Sequence, residues 1–217
     1  MSIRANLEAV RSRIETSCRS VGRDPEEVTL IAVSKNQSVH AIQEAYELGC
    51  RNFGESRLQE AVPKIAALPN DVIWHFIGVL QTNKAKRIAS LFPFVHTFCK
   101  ESQLSEADKA ENPIEGFIEV NIADEEQKSG VHPRMLDGYH AKLIQSRHVH
   151  FRGLMSIGPA DVGPDVIRSY FKELKALADK LESSSISMGM SNDFDVAIQE
   201  GASHIRIGTA IFGSRQY

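Results

Sequence analysis

From residue 3 to residue 21 the apolar side chains Ile3, Leu7, Val10, Ile14, Cys18 and Val21 recur at steps of four and three. That is the spacing of one helical stripe, with arginines and glutamates on the other faces. The stretch GRDP at 22–25 stops it. A different rhythm follows. Thr29–Ser34 is a short and nearly all-apolar run, as expected of a strand buried on both faces of a parallel sheet. Residues 38–48 then return to helical spacing, and Gly49 stands where a C-terminal cap belongs.

The alternation continues to the end of the chain. Short strands are predicted at Arg51–Phe53, Val72–Ile77, Phe94–Phe98, Glu115–Asn121, His148–Met155, Ser185–Met188 and His204–Ile207. Helices are predicted at 55–67, 81–91, 101–110, 133–146, 164–182 and 192–200. Pro63 should kink or split the first of these, whereas Pro133 suits a helical first turn. About eight β–α units after one leading helix predict an α/β protein, a (β/α)8 barrel built as a single domain over 1–217. An open doubly wound sheet is the alternative.

The chain has 217 residues, 42% of them hydrophobic and 24% charged, with a net charge of −3. Without a basic excess, nucleic acid is a poor partner. No window approaches the roughly 18 apolar residues of a membrane span. Three cysteines with no CxxC spacing fit a reducing compartment, so a cytoplasmic protein is expected. No Cys/His spacing resembles a zinc site, and no metal is expected.

In such a barrel the chemistry sits just beyond the C-terminal ends of the strands. Lys35 follows the first strand, where desolvation would favour the neutral amine a Schiff base requires. A lysine reaching out to solvent is the bland alternative. Gly189 and Ser191 follow the seventh strand, and Gly208 and Thr209 follow the eighth. Paired glycine and hydroxyl loops at helix N-termini suit a phosphate. Asp193 and Asp195 would repel it, so both are expected to face away. Arg206 stands beside this region and suits a phosphate, a carboxylate or a ring nitrogen. Asn52, His75 and Met155 lie on strands two, three and six. Lys84, Lys86 and Arg87 form a basic helix face.

Five segments occur in order: IAVSK at 31–35, NFGES at 52–56, WHFIGVLQTNK at 74–84, GLMSIGP at 153–159 and SMGMSNDFDVAIQEGASHIRIGTAIFG at 187–213. Together they resemble the pyridoxal phosphate homeostasis protein family, formerly called proline synthetase co-transcribed protein, from about residue 3 to 214. The resemblance implies the barrel of the alanine racemase N-terminal domain. It implies pyridoxal 5′-phosphate (PLP) held by Lys35 as a Schiff base. Ser191, Gly208 and Thr209 match its phosphate-binding positions, and Arg206 matches the arginine facing the pyridine nitrogen. Asn52, His75 and Met155 match positions lining or supporting the pocket. The chain departs from the family at Val79, usually His, and at Ser56, commonly Asn.

Opposite a permanently protonated guanidinium the ring nitrogen stays unprotonated, and the cofactor is a weak electron sink. Racemisation also needs a second base, and in the alanine racemase pattern it comes from a domain absent here. Tyr46, Tyr139, Tyr170 and Tyr217 fall on helices or at the terminus and offer no obvious substitute. The resemblance therefore implies a non-catalytic monomer that binds PLP, keeps intracellular vitamin B6 in balance and supplies PLP-dependent apoenzymes. A PLP-dependent racemase, a cofactor-free Schiff-base aldolase and a pure interaction module are the alternatives.

Overall fold

The computed structural model describes residues 2–125, 127–159, 162–183 and 185–213. After helix α1 (Ile3–Arg19), eight strands close into a parallel barrel in sequence order. They are β1 (Thr29–Val33), β2 (Asn52–Glu55), β3 (Ile73–Phe76), β4 (Phe94–Phe98), β5 (Ile114–Glu119), β6 (Val149–Met155), β7 (Ser185–Ser187) and β8 (His204–Ile207). The helices between and after them are α2 (Val39–Glu47), α3 (Leu58–Ala67), α4 (Thr82–Ala89), α5 (Glu101–Ala107), α6 (Leu136–Leu143), α7 (Pro164–Lys180), α8 (Phe194–Gln199) and α9 (Thr209–Phe212). Barrel closure satisfies every strand edge, and the outer helices cover the apolar outward faces. The open-sheet alternative is thereby excluded.

α1 adds a layer outside the barrel. It buries Leu7, Val10, Ile14 and Cys18, and packs on α2, α8 and α9. Asn6 donates to the Ile211 carbonyl at 2.8 Å, and the Arg13 guanidinium lies 4.2 Å over the Phe194 ring. The helix thus braces the segments that follow β7 and β8.

Three local expectations change. α3 runs through Pro63 as one helix. Pro63 is exposed, so the carbonyl left without a donor meets water while Leu58, Ala61 and Lys64 stay packed. Pro133 opens a separate 3-10 turn (Pro133–Met135) ahead of α6. The short helix α9, directly after β8, carries too few residues for a periodic signal.

Candidate functional site

β1 ends at Val33, and the next two residues form the first element of the site. Ser34 is fully buried, whereas Lys35 is exposed above the strand end and Asn36 adopts a left-handed φ of 62°. Of the two readings the sequence left open, the lysine takes the one that reaches out to solvent. Its side chain rises clear of the strand and lines a groove of about 420 Å³ with Ser56, Arg57, Gly78, Val79 and Lys84. Below it the loop is rigidly tied. The Lys64 ammonium donates to the Ser34 carbonyl and to Glu55 Oε1, both at 2.8 Å, and to Glu60 Oε1 at 2.6 Å. Ser34 Oγ donates to the same Glu55 oxygen at 2.7 Å, and the Asn36 amide donates to Glu60.

The second element is the pair of loops beyond β7 and β8. Their registers place Gly208 beside Val33, whose Cβ would lie 3.5 Å from a Cβ added at the glycine. The loops are bonded to one another: Ala210 donates to Ser191 Oγ at 3.3 Å, and the Arg206 amide donates to the Gly189 carbonyl at 3.0 Å. No side chain caps the start of α9 at Gly208, and Thr209 is exposed. Asp195 faces away, as expected, pairing with Arg13 and Ser17 of α1. Asp193 does not turn outward. It accepts the Met190 amide at 2.6 Å within its own loop, where burial raises its pKa.

Arg206 lies at the floor of these loops, 5% exposed. Nη1 donates to Ser187 Oγ at 2.7 Å and Nη2 to the Ser156 carbonyl at 3.0 Å. Among the described residues no carboxylate lies within ion-pair distance. Burial lowers its pKa to about 10, against the milder pull of the Asp193 and Glu119 charges. It is thus a buried cation at neutral pH, held by neutral acceptors. Ser156 Oγ is also buried and has no hydrogen-bond partner. A buried cation and an orphaned hydroxyl beside an open loop pair fit a polar, anionic ligand.

Asn52, His75 and Met155 sit below this floor rather than around Lys35. Met155 is fully buried at the end of β6, paired in register with Glu119 and Ser187. Asn52 begins β2, beside a groove at the N-terminal face, and its Oδ1 meets His75 Nε2 at 3.0 Å. His75 Nδ1 meets His96 Nε2 at 2.9 Å, and His96 Nδ1 meets Ser187 Oγ at 2.9 Å. Burial holds both histidines neutral, with pKa values well below the ordinary range. His96, Ser187, Ser156, Glu55 and Lys64 were not singled out from the sequence. His96, two residues after Phe94 in an alternating strand, carried the clearest available signal.

The barrel, the strand-end lysine and the loop pair define a class. The family model for the alanine racemase N-terminal domain matches residues 3–216. Solved alanine racemases share the fold; that of E. faecalis has a TM-score of 0.72 at 15% identity, covering 99% of this chain and 59% of that one.

Within that class the resemblance narrows. A pyridoxal phosphate homeostasis protein of Aquifex aeolicus is 38% identical over 97% of this chain and 97% of its own length. The protein of that name from Escherichia coli K12 is 38% identical over 98% and 96%. The structure of PipY of Synechococcus elongatus with PLP bound has a TM-score of 0.84 at 33% identity, covering 98% of this chain and 100% of that one. The chain belongs to the alanine racemase N-terminal domain family, and within it to the pyridoxal phosphate homeostasis proteins.

Proposed function

We propose that residues 1–217 form one PLP-binding domain that holds the cofactor on Lys35 and serves as a non-catalytic store and supplier of it. The observation that carries this reading is the seating of Arg206. It is a buried guanidinium without a carboxylate, below the Ser191 and Gly208–Thr209 loops, one strand from the exposed Lys35 amine. Ser191, Gly208 and Thr209 would bind the phosphate. Arg206 would face the ring nitrogen, with Met155, His75 and Asn52 supporting it from below.

Bound PLP supplies a reactive aldehyde. The Lys35 amine condenses with it reversibly and water leaves, so the cofactor is held without being consumed. Arg206 stays protonated and gives the ring no proton, which keeps the electron sink weak. The described tyrosines support a non-catalytic role: Tyr170 packs against the core from α7. Tyr46 donates to Asp71 at the surface at 2.8 Å, and Tyr139 donates to the Lys100 carbonyl at 3.1 Å. Tyr217 lies outside the described residues. An exposed lysine suits exchange with solvent and with apoenzymes, which we take to be transient partners. A cytoplasmic monomer completes the reading; among the described residues no helix is long and apolar enough to cross a membrane.

The test is the absorbance of the purified protein with PLP, before and after borohydride, beside Lys35→Ala. A visible band that borohydride abolishes and the variant lacks is the expected result. A protein that takes up no PLP, or a band that survives in Lys35→Ala, overturns the proposal. Amino-acid turnover lost with Lys35→Ala would overturn the non-catalytic part alone.

A further inference from the structure

Between Arg206 and Asn52 the barrel interior carries an unbroken line of polar contacts. From the floor of the site downward it runs through Ser187 Oγ, His96 and His75 to Asn52 Oδ1, with steps of 2.7, 2.9, 2.9 and 3.0 Å. Ser187, His96 and His75 are fully buried, so water cannot replace any of these bonds. Each ring nitrogen is used once, which makes the direction of every bond deducible.

Arg206 Nη1 can only donate, so the Ser187 hydroxyl keeps its own proton for His96 Nδ1. The order that follows puts a proton on His75 Nε2, facing Asn52 Oδ1. A neutral ring carries one proton, so His75 Nδ1 is bare and accepts from His96 Nε2–H. His96 Nδ1 is then bare and accepts the Ser187 hydroxyl proton. The Ser187 oxygen, already donating, accepts from Arg206 Nη1. Every donor points away from the site. A hydroxyl that donates is a better acceptor, so the chain strengthens the grip on the guanidinium. In the reverse order Ser187 would accept twice and donate nothing.

We infer that Ser187, His96, His75 and Asn52 form a one-way hydrogen-bonded chain that positions the Arg206 guanidinium for the ligand above it. The second anchor is the Ser156 carbonyl on Nη2, so the planar fork is fixed at two points on neighbouring strands. A long side chain held this way loses its rotational freedom before the ligand arrives, which is how a weakly enclosed site gains affinity. Ser187 and His96 are positioning residues: they act on the ligand through Arg206. The assignment to PLP rests on the function proposed above, whereas the direction of the chain does not.

The experiment has two readouts. Histidine-labelled protein without PLP is examined by nitrogen-detected NMR to find which ring nitrogen carries the proton. The chain requires the Nε2–H form at both His75 and His96. Asn52→Leu removes the terminal acceptor at a partly exposed position and should turn the rings toward the Nδ1–H form. PLP release from that variant should quicken about threefold, and from Ser187→Ala about tenfold. An Nδ1–H form at either ring of the unaltered protein overturns the chain. So does a folded Asn52→Leu protein whose rings turn while PLP release stays unchanged. A protein that takes up no PLP overturns the proposed function, and the ring protons, read without ligand, still decide the direction.

Discussion

The buried ammonium of Lys64 lies 2.8 Å from Glu55 Oε1 and equally far from the carbonyl of Ser34, the residue before Lys35. One cation from α3 thus joins the ends of β1 and β2 from outside the barrel. Glu55 is fully buried, and its second oxygen has no partner. Burial raises its pKa, and the bonds from Lys64 and Ser34 pull it back.

Removing Lys64 would strand a buried carboxylate. Lys64→Met should cost about 3–5 kcal/mol in denaturant unfolding, far more than a surface ion pair. Its pH dependence identifies the cause. With the ammonium gone, the Glu55 pKa in the folded state rises further above its unfolded value. The folded state then binds the extra proton, so the variant recovers stability as the pH falls through that raised value. A loss independent of pH would show that packing, not the stranded charge, is responsible.

The histidines of the barrel interior predict the opposite slope for the unaltered protein. His204 is buried against His96 and Phe117, and burial lowers its pKa from 6.5 to about 4. Between those values the unfolded ring is protonated and the folded ring is not. The unfolded state binds more protons, so stability rises with pH there and is lost as the pH falls from 6.5 towards 4. The shift corresponds to about 3 kcal/mol from this one ring, and His75 and His96 act in the same direction. Thermal unfolding across this range, with His204→Met beside it, measures the effect; the variant should show the shallower slope.

Gly189, in the loop after β7, has φ +89°, and a Cβ there would lie 2.5 Å from the Ala197 Cβ and 3.0 Å from the Phe194 backbone. Gly189→Ala should cost about 2–4 kcal/mol, from left-handed strain and overlap together. It should also disturb the Ser191 loop and weaken PLP binding. Gly138 is the control. It lies within α6 with nothing near an added Cβ, so Gly138→Ala should stabilise by about 0.5–1 kcal/mol and leave PLP binding alone. Unfolding midpoints and PLP titration of both variants decide the matter.

What could be read from the sequence follows from which features depend on exact strand boundaries. The barrel was legible because its signal is a count: short apolar runs alternating with helical stripes, eight times. That Lys35, Ser191, Gly208 and Thr209 stand just beyond β1, β7 and β8 was legible because strand ends survive an error of a residue. The polar interior was not. Whether His96 or Ser187 faces inward depends on parity, and a shift of one residue reverses it. Nor could adjacency in sequence reveal that Lys64, on a helix, supports Ser34 just past the end of β1. Whether Lys35 is desolvated or reaches to solvent stayed open in the sequence, because it turns on where β1 stops, two residues earlier at Val33.

On the proposed function, Arg206 would join the stability of the fold to occupancy of the site. Its pKa of about 10, against an ordinary 12.5, is a net penalty on the charged form of about 3 kcal/mol, burial outweighing the pull of Asp193 and Glu119. Its bonds to Ser187 and Ser156 offset that cost, at roughly 1.5–3 kcal/mol each for a charged donor. Arg206→Met removes both sides of this balance and keeps much of the side-chain volume. The variant without PLP should therefore unfold within a few kcal/mol of the unaltered protein. With PLP at about 100 times its dissociation constant, the unaltered protein gains about 2.7 kcal/mol by mass action. At the same PLP concentration Arg206→Met should gain much less, because the cation proposed to face the ligand is gone. Thermal unfolding of both proteins with and without PLP reads the difference directly. An equal gain in the two would mean that Arg206 supports the barrel and not the ligand.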